Sequence, residues 1–395
     1  MNGNVEVVVV GGGYGGVTAA NSLARRDGVS VTLVNPRPDF VERIRLHQLV
    51  TGSDDAVVGF GEVLGGNVRL VVDTASRIDA AERRVSLAGG GTVSYDYLVY
   101  AVGSGASDPG VPGAAEFAHW VSDLEGAERL RSALAETAAS APVTVVGAGP
   151  TGLETAAELA EAGRKITLVC GNVLGPSLHA RVRRPVARRL AKLGVTVLEG
   201  SGAQVTEVTR DGVRLDDGRE LPSAVTIWTA GFRVPDLAAR SGLRTDTEGR
   251  LVTDGTLTSV DDVRIVAAGD AAVMTDLPFR MSCQAAVQLG PAAAATILRR
   301  IAGKTPAPVR MFFAGQCLSL GRNAGVTQFS YPNDRVNALS ISGGLGAGVK
   351  EIACRFTLNK LVSGARKASS RASHGDSTDR LESPQPQHRT TPSNT

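Results

Sequence analysis

Gly11-Gly12-Gly13-Tyr14-Gly15-Gly16 follows the apolar run Val7-Val8-Val9-Val10 and opens an Ala-rich stretch. Gly147-Ala148-Gly149-Pro150-Thr151-Gly152 follows Val143-Thr144-Val145-Val146 in the same way. Each is a G-x-G-x-x-G turn between a short β-branched run and a helical stretch. A pyrophosphate needs backbone N–H groups at close range. The first glycine makes the turn, the second admits the phosphate and the third lets the helix pack on the strand. The helix N-terminus adds a partial positive charge. One such turn alone also fits a plain βα connection in an unrelated α/β fold. Two, each in strand–turn–helix context, point to two dinucleotides on one chain, and so to electron transfer between them.

Around the first turn the chain reads βαβ, with strands Val7–Val10 and Val29–Val34 flanking a helix from Gly15 to Arg26. Phe40 to Val50 reads as helical. Short alternating strands follow between Val68 and Tyr95, with Gly89-Gly90-Gly91 as a hairpin turn, and Tyr97 to Ala101 is again a buried strand. A Gly/Pro-rich link, residues 108–113, leads to a helix carrying Leu124, Leu130 and Leu134. From Val143 the order repeats: βαβ, a strongly basic helix from Arg181 to Leu193, a meander, and the closing strand Val225–Trp228. The repeat places Gly147 opposite Gly11 and spans a whole domain each time.

The predicted fold class is α/β, with two Rossmann-like domains, a small C-terminal α+β segment and a disordered tail. The predicted boundaries are 1–112 and 233–302 for the two parts of the first nucleotide domain and 113–232 for the inserted one. The small C-terminal domain covers 303–362, and the tail, poor in apolar residues, covers 363–395.

The 395 residues are enough for two or three cores. A net charge of +3 gives no argument for nucleic acid. Cys170, Cys283, Cys317 and Cys354 form no close pair, which argues against a zinc ribbon or a close-spaced dithiol. No metal site is expected, and a reducing cytoplasm is the natural compartment. The N-terminus shows no secretory pattern. The longest apolar helical stretch, Ala285 to Leu298, is too short to span a bilayer.

Dinucleotide units usually carry an acidic residue after the second strand, to hold the ribose hydroxyls. Here Asn35 stands after Val31–Val34, and Cys170 after Ile166–Val169. Loss of the carboxylate removes a charge that would repel a 2′-phosphate, so NADH and NADPH are both permitted. Arg181, Arg183 and Arg184 could supply an opposite charge, although a solvated helix face is the preferred reading of them.

Val263-Arg264-Ile265-Val266-Ala267-Ala268-Gly269-Asp270 resembles the second FAD signature of flavoproteins with two dinucleotide-binding domains. Tyr97 to Ser104 and Trp228 to Phe232 resemble the strands that close their two domains. Within that superfamily the chain is similar to type II NADH dehydrogenases, the NADH:quinone oxidoreductases, and to oxidoreductases related to apoptosis-inducing factor. Gly149-Pro150-Thr151-Gly152-Leu153-Glu154 matches their G-P-T-G-x-E. Phe40 to His47 resembles the segment beside FAD, and Cys283-Gln284-Ala285-Ala286-Val287-Gln288 falls on their A-Q-x-A-x-x run, with Cys283 replacing Ala. The resemblance covers roughly residues 5–300.

The resemblance implies a bound FAD, with NADH or NADPH as co-substrate and a quinone or other small molecule as acceptor. The implied catalytic residues are Glu154, where nicotinamide meets flavin, and Gln284 and Gln288. The implied cofactor contacts in the first unit are Gly11, Gly13, Tyr14, Gly15, Gly16, Asn35, Arg45, Val72, Gly103, Ser104, Gly269, Asp270 and Cys283. In the second they are Gly147, Gly149, Pro150, Thr151, Gly152, Cys170 and Gly231. Ser282 is expected to cap the helix that points at the flavin. His47, His119 and His179 receive no task.

After residue 300 the resemblance thins. Val349 to Leu361 mixes apolar Ile352, Phe356 and Leu361 with basic Lys350, Arg355 and Lys360. It could lie on an anionic membrane, at the inner face, or pack as a short helix, and packing is preferred. A homodimer is a further expectation. A disulfide reductase is excluded by the lack of a close cysteine pair. An oxidoreductase of small-molecule biosynthesis and a slowly turning-over redox sensor remain as alternatives.

Overall fold

The computed structural model describes residues 4–378 apart from 276 and 278. Two five-stranded parallel sheets repeat one order. The first runs Ile265–Ala267, Tyr97–Tyr100, Val5–Val10, Val29–Asn35, Val68–Val72. The second runs Ala118–Trp120, Val225–Trp228, Pro142–Val146, Lys165–Val169, Thr196–Leu198. Strands buried on both faces are continuous apolar runs, as Val7 to Val10 are. In each sheet the order reverses beside the strand that leads into the glycine turn. Such a switch point opens a crevice at the strands' carboxyl ends, where α/β sheets bind ligands.

The second sheet is inserted into the first unit. The chain leaves through Gly105–Ala106 and returns through Phe232–Arg233, and these two linkers pair antiparallel. Each unit also carries a three-stranded antiparallel meander, Ala75–Asp79 to Thr92–Ser94 in one and Val205–Thr209 to Glu220–Pro222 in the other. The internal repeat is therefore a repeat of structure.

A third layer follows the second return to the first sheet. Gly315–Ser319, Gly325–Ser330 and Val336–Gly343 form an antiparallel sheet. It is stapled to the inserted unit by Arg322 on Glu158 (2.8 Å) and by the His179 N–H donating to Gln328 Oε1 (2.6 Å). The helix Cys283–Ile301 lies against the first glycine-turn helix, Tyr14–Leu23. A Cβ on Gly290 would stand 2.3 Å from Gly15 O, so only glycine allows that approach.

Two local expectations change. Phe40 to Val50 is not one helix: it is a strand Asp39–Val41, a 3-10 turn Arg43–Arg45 and a helix Leu46–Thr51. The strand pairs with Val57–Gly59, and Phe40 is fully buried edge-on against Tyr14, a tertiary contact that overrides local helical pattern. The C-terminal helix spans Gly344–Thr378, well beyond Leu361, and Ala365 and Ala368 are buried along it. The boundary expected at 362/363 therefore falls inside a helix. Residues 379–395 of the expected tail lie outside the described residues.

Candidate active site

The two glycine turns share one backbone geometry at their three signature glycines. Gly11 and Gly147 have φ of +104° and +106°, a region that favours glycine. A Cβ on Gly16 would stand 1.8 Å from Gly11 O, and one on Gly152 would stand 1.9 Å from Gly147 O, so helix and strand close on each other there. The middle glycines, Gly13 and Gly149, have nothing within 4 Å of a Cβ. Both are helix N-caps without a side-chain cap bond, which leaves first-turn N–H groups facing open space. That is the cradle a pyrophosphate needs. Pro150 takes the first helical position, where no N–H is lost to the helix, and half-buried Thr151 follows.

The first cradle continues into a polar pocket. Asp270 Oδ2 accepts from Ser104 Oγ (2.7 Å), whereas Asp270 Oδ1 is buried without a partner. A buried carboxylate oxygen left unpaired is costly, and a hydroxyl of a ribityl chain would satisfy it. Gly15 and Gly269 meet closely here, and Gly103 and Gly269 both have positive φ, which lets three chain segments converge. At the far end of the cradle Val72 is 51% exposed beside Asn35, its partner across the sheet. An exposed valine at that edge offers an apolar face to an adenine.

The side chains of three expected contacts are engaged within the protein itself. Arg45 faces away from the cradle: its guanidinium meets Glu351 (3.0 Å), Glu42 (3.4 Å) and Asp54 (3.4 Å), and so ties the helix Leu46–Thr51 to the C-terminal helix. Arg43, two residues earlier in a three-residue turn, points the other way and donates to Ser104 Oγ at 3.3 Å. Tyr14 offers a ligand only its backbone, because its ring is buried against Phe40. Asn35 is committed to the chain: Oδ1 accepts from Gly12 N (2.9 Å) and Nδ2 donates to Arg37 O (2.8 Å), which fixes the turn.

Ser282 caps the helix Cys283–Ile301, its Oγ accepting from Ala285 N at 3.2 Å. Burial pushes the Cys283 thiol up, so it stays protonated at neutral pH. The glutamines one turn apart on this helix grip the chain instead of opening to a ligand. Gln288 donates to Phe312 O (2.9 Å) and accepts from Phe312 N (3.1 Å). Gln284, with its amide turned to suit its neighbours, donates to Gly315 O (3.1 Å) and accepts from Ala314 N (3.0 Å). They clamp residues 312–315.

Glu154 lies one turn beyond the second cradle, at the centre of a buried polar cluster drawn from four segments. Its Oε1 meets Lys350 Nζ at 2.9 Å and accepts from Ser319 N at 2.9 Å. His47 Nδ1 is 4.0 Å from Glu154 Oε2, and His47 Nε2 is 3.0 Å from Ser319 Oγ. Burial pushes the Glu154 carboxyl up, but Lys350, His47 and the Ser319 N–H outweigh it and hold the group below the usual carboxylate range. Burial acts downward on Lys350 too, and there the attraction of Glu154 wins and raises it. The pair is therefore ionised. His47 is pushed down to about 4, first by burial and then by Lys350, Arg322 and Arg45, against the pull of Glu154.

Lys350, Ser319 and His47 escape a reading of the sequence. A signal for Lys350 does exist: it shares the inward face of its helix with Cys354 and Leu361, and a lysine on an apolar face needs a buried partner.

His47 gives the fold an acid limb. Its folded value lies below the usual 6.5, so the unfolded chain binds the proton first. Its contribution is full above about pH 6.5 and is lost as pH falls towards 4, a change of roughly 3 kcal/mol. Urea unfolding from pH 7 to 4.5 should show wild type losing stability relative to His47→Gln. Parallel pH profiles would contradict this.

At the second cradle's adenosine end, Cys170 is also a neutral thiol, pushed up to about 12 by burial and then by Glu199. Arg183 donates to Gly175 O and Leu178 O, while Arg181 and Arg184 remain exposed. Gly231, with φ +81°, turns the chain just beyond the strand that borders this cradle. The four cysteines are free, and among the described residues no cluster could hold a metal.

A NADH dehydrogenase-like protein of Mycobacterium tuberculosis is 33% identical over 352 residues, covering 81% of this chain and 87% of that protein. The type II NADH:quinone oxidoreductase Ndh of the same organism is 31% identical over 374 residues, covering 82% and 78%. Among solved structures, the sulfide:quinone oxidoreductase of Aquifex aeolicus superposes with a TM-score of 0.77 at 20% identity, over 96% of this chain and 95% of that one, a likeness of fold. Residues 5–295 match the pyridine nucleotide-disulphide oxidoreductase family, and with the paired cradles in place the chain belongs to that family.

Proposed function

We propose that the chain is an FAD-dependent NAD(P)H dehydrogenase that delivers electrons to a quinone. The observation that carries this reading is the pair of equivalent cradles, one beside the orphaned Asp270 oxygen and the other one turn before Glu154. The backbones of Gly11, Gly13, Tyr14, Gly15 and Gly16 would hold the FAD pyrophosphate. Asp270, with Ser104 and Arg43 behind it, would hold the ribityl chain, and Val72 the adenine. Gly147, Gly149, Pro150, Thr151 and Gly152 would receive the nicotinamide nucleotide, with Cys170 at its ribose and Gly231 near its nicotinamide. When bound, FAD would supply the chemistry of hydride acceptance from NAD(P)H and of electron delivery to the acceptor.

The protein's own part is position and charge. The capped N-terminus at Ser282 offers backbone N–H groups and a positive dipole beside Asp270, suited to negative charge that develops on reduction. Gln284 and Gln288 fix the 312–315 segment across from it. Lys350 holds a proton at Nζ and Glu154 stays ionised, so the pair presents a donor and an acceptor side by side. Those fixed opposite charges beside the second cradle would orient the nicotinamide or the acceptor. The names of the Mycobacterium tuberculosis relatives, a NADH dehydrogenase-like protein and a NADH:quinone oxidoreductase, support NADH and quinone as the partners.

The acceptor would be reached from a membrane surface. Leu345, Ile352 and Phe356 are 77%, 68% and 69% exposed on one stripe of the C-terminal helix, and among the described residues no helix is long and apolar enough to cross a bilayer. A peripheral contact on the inner face accounts for both. Steady-state oxidation of NADH and NADPH with a panel of quinones, with and without membranes, tests the reading. Brisk quinone-dependent turnover supports it. Turnover only with a non-quinone acceptor counts against it.

A further inference from the structure

A cleft of about 490 Å³ opens between the first glycine-turn helix, the helix Cys283–Ile301 and the C-terminal helix. Its lining includes Arg25, Lys360 and Lys367, together with Ser22, Asn359 and Phe356, and no carboxylate among the described residues. Lys360 Nζ donates to a backbone carbonyl, Val287 O at 3.3 Å. Arg25 reaches across to the C-terminal helix, its Nη2 3.8 Å from where a Cβ on Gly364 would stand.

The cleft continues the apolar stripe. At 100° per residue, Leu345, Ile352, Phe356, Lys360, Ser363 and Lys367 fall within an arc of about 80°. Lys350, Cys354, Leu361, Ala365 and Ala368 lie on the opposite, buried side. The outward face is thus apolar over its first three turns, roughly 17 Å, and cationic over the next three. Phe356 belongs to both parts. An apolar end that enters the acyl boundary would leave the lysines at headgroup depth.

We propose that this cleft binds the phosphate of an anionic phospholipid headgroup, and so sets the orientation of the protein on the bilayer. The proposal rests on the peripheral membrane contact argued above and adds to it a defined site with a defined ligand chemistry. A phosphate diester matches the two lysine ammonium groups and the side-chain amide donor of Asn359. The adjoining Phe356 would cover the start of an acyl chain.

The test is co-sedimentation of the full, FAD-loaded chain with vesicles of phosphatidylcholine alone or with added phosphatidylglycerol. Wild type should bind the phosphatidylglycerol vesicles. The Lys360→Gln/Lys367→Gln double variant should bind them roughly 10- to 30-fold more weakly, with FAD content and turnover on a water-soluble quinone unchanged. Asn359→Asp, which puts a negative charge into the cleft, should give a similar loss and serves if the double variant folds poorly. Unchanged binding by these variants, or equal binding to both vesicles, overturns the headgroup site while leaving a membrane contact standing. Binding to neither vesicle overturns the membrane contact as well. If soluble glycerol phosphate displaces the vesicles at lipid-like concentrations, the cleft is a site for small phosphates and the lipid assignment falls.

Discussion

Glu154→Gln, made alone, lowers stability by about 3–5 kcal/mol and slows turnover far more than it weakens FAD binding. The carboxylate is the only carboxylate partner of the Lys350 ammonium among the described residues, at 2.9 Å, and the two side chains are only 11% and 8% exposed. Removing one member of such a pair strands a charge in a medium that solvates it poorly. Lys350→Met strands Glu154 in the same way. The double variant Glu154→Gln/Lys350→Met leaves no stranded charge, so it should regain most of the lost stability while turnover stays low. Thermal melts and steady-state kinetics on the three variants separate the two effects. If the double variant is as unstable as the singles, the pair is not coupled as the geometry implies. If it recovers turnover along with stability, the cluster has a structural task only.

Asp270→Ala yields a folded protein that purifies without its yellow colour. Asp270 Oδ2 already has Ser104, but Oδ1 is buried and unpartnered. In the apo protein that oxygen is a liability, so its loss costs the fold little and can even help it. On the proposed reading, the same oxygen would receive the ribityl hydroxyls of a bound FAD. The variant should therefore lose FAD by two to three orders of magnitude in affinity, from loss of hydrogen bonds to a charged group, while its far-ultraviolet circular dichroism is kept. FAD content per chain after purification gives the answer. Full retention of FAD would remove Asp270 from the cofactor site.

The cradles were legible in the sequence because their requirements are local. A positive φ at Gly11, an open approach at Gly13 and a helix–strand contact at Gly16 all arise within six residues. The repeat of the pattern along the chain is matched by two sheets of one strand order. What stayed hidden depends on distant partners. Arg43 and Arg45 differ by two positions, and only the fold of the 3-10 turn decides which faces Asp270 and which faces Glu351. Gln284 and Gln288 gain their tasks from a backbone segment about 24 to 31 residues away. Glu154 was legible from its motif, whereas Lys350 and Ser319 come from beyond residue 300, where the resemblance has faded. Composition hid the end of the C-terminal helix: Ala365 and Ala368 continue the buried face of Leu361, among serines and arginines that read as a tail.

The central claim is that one chain holds two dinucleotides in electronic contact, and an anaerobic titration addresses it directly. The purified protein, carrying one FAD per chain, is mixed with increasing NADH or NADPH while visible flavin absorbance is followed, and a quinone is then added. The account predicts bleaching complete near one equivalent of the preferred nucleotide and recovery of the oxidised spectrum on quinone addition. A flavin spectrum that neither nucleotide bleaches, in protein with its full complement of FAD, would contradict it.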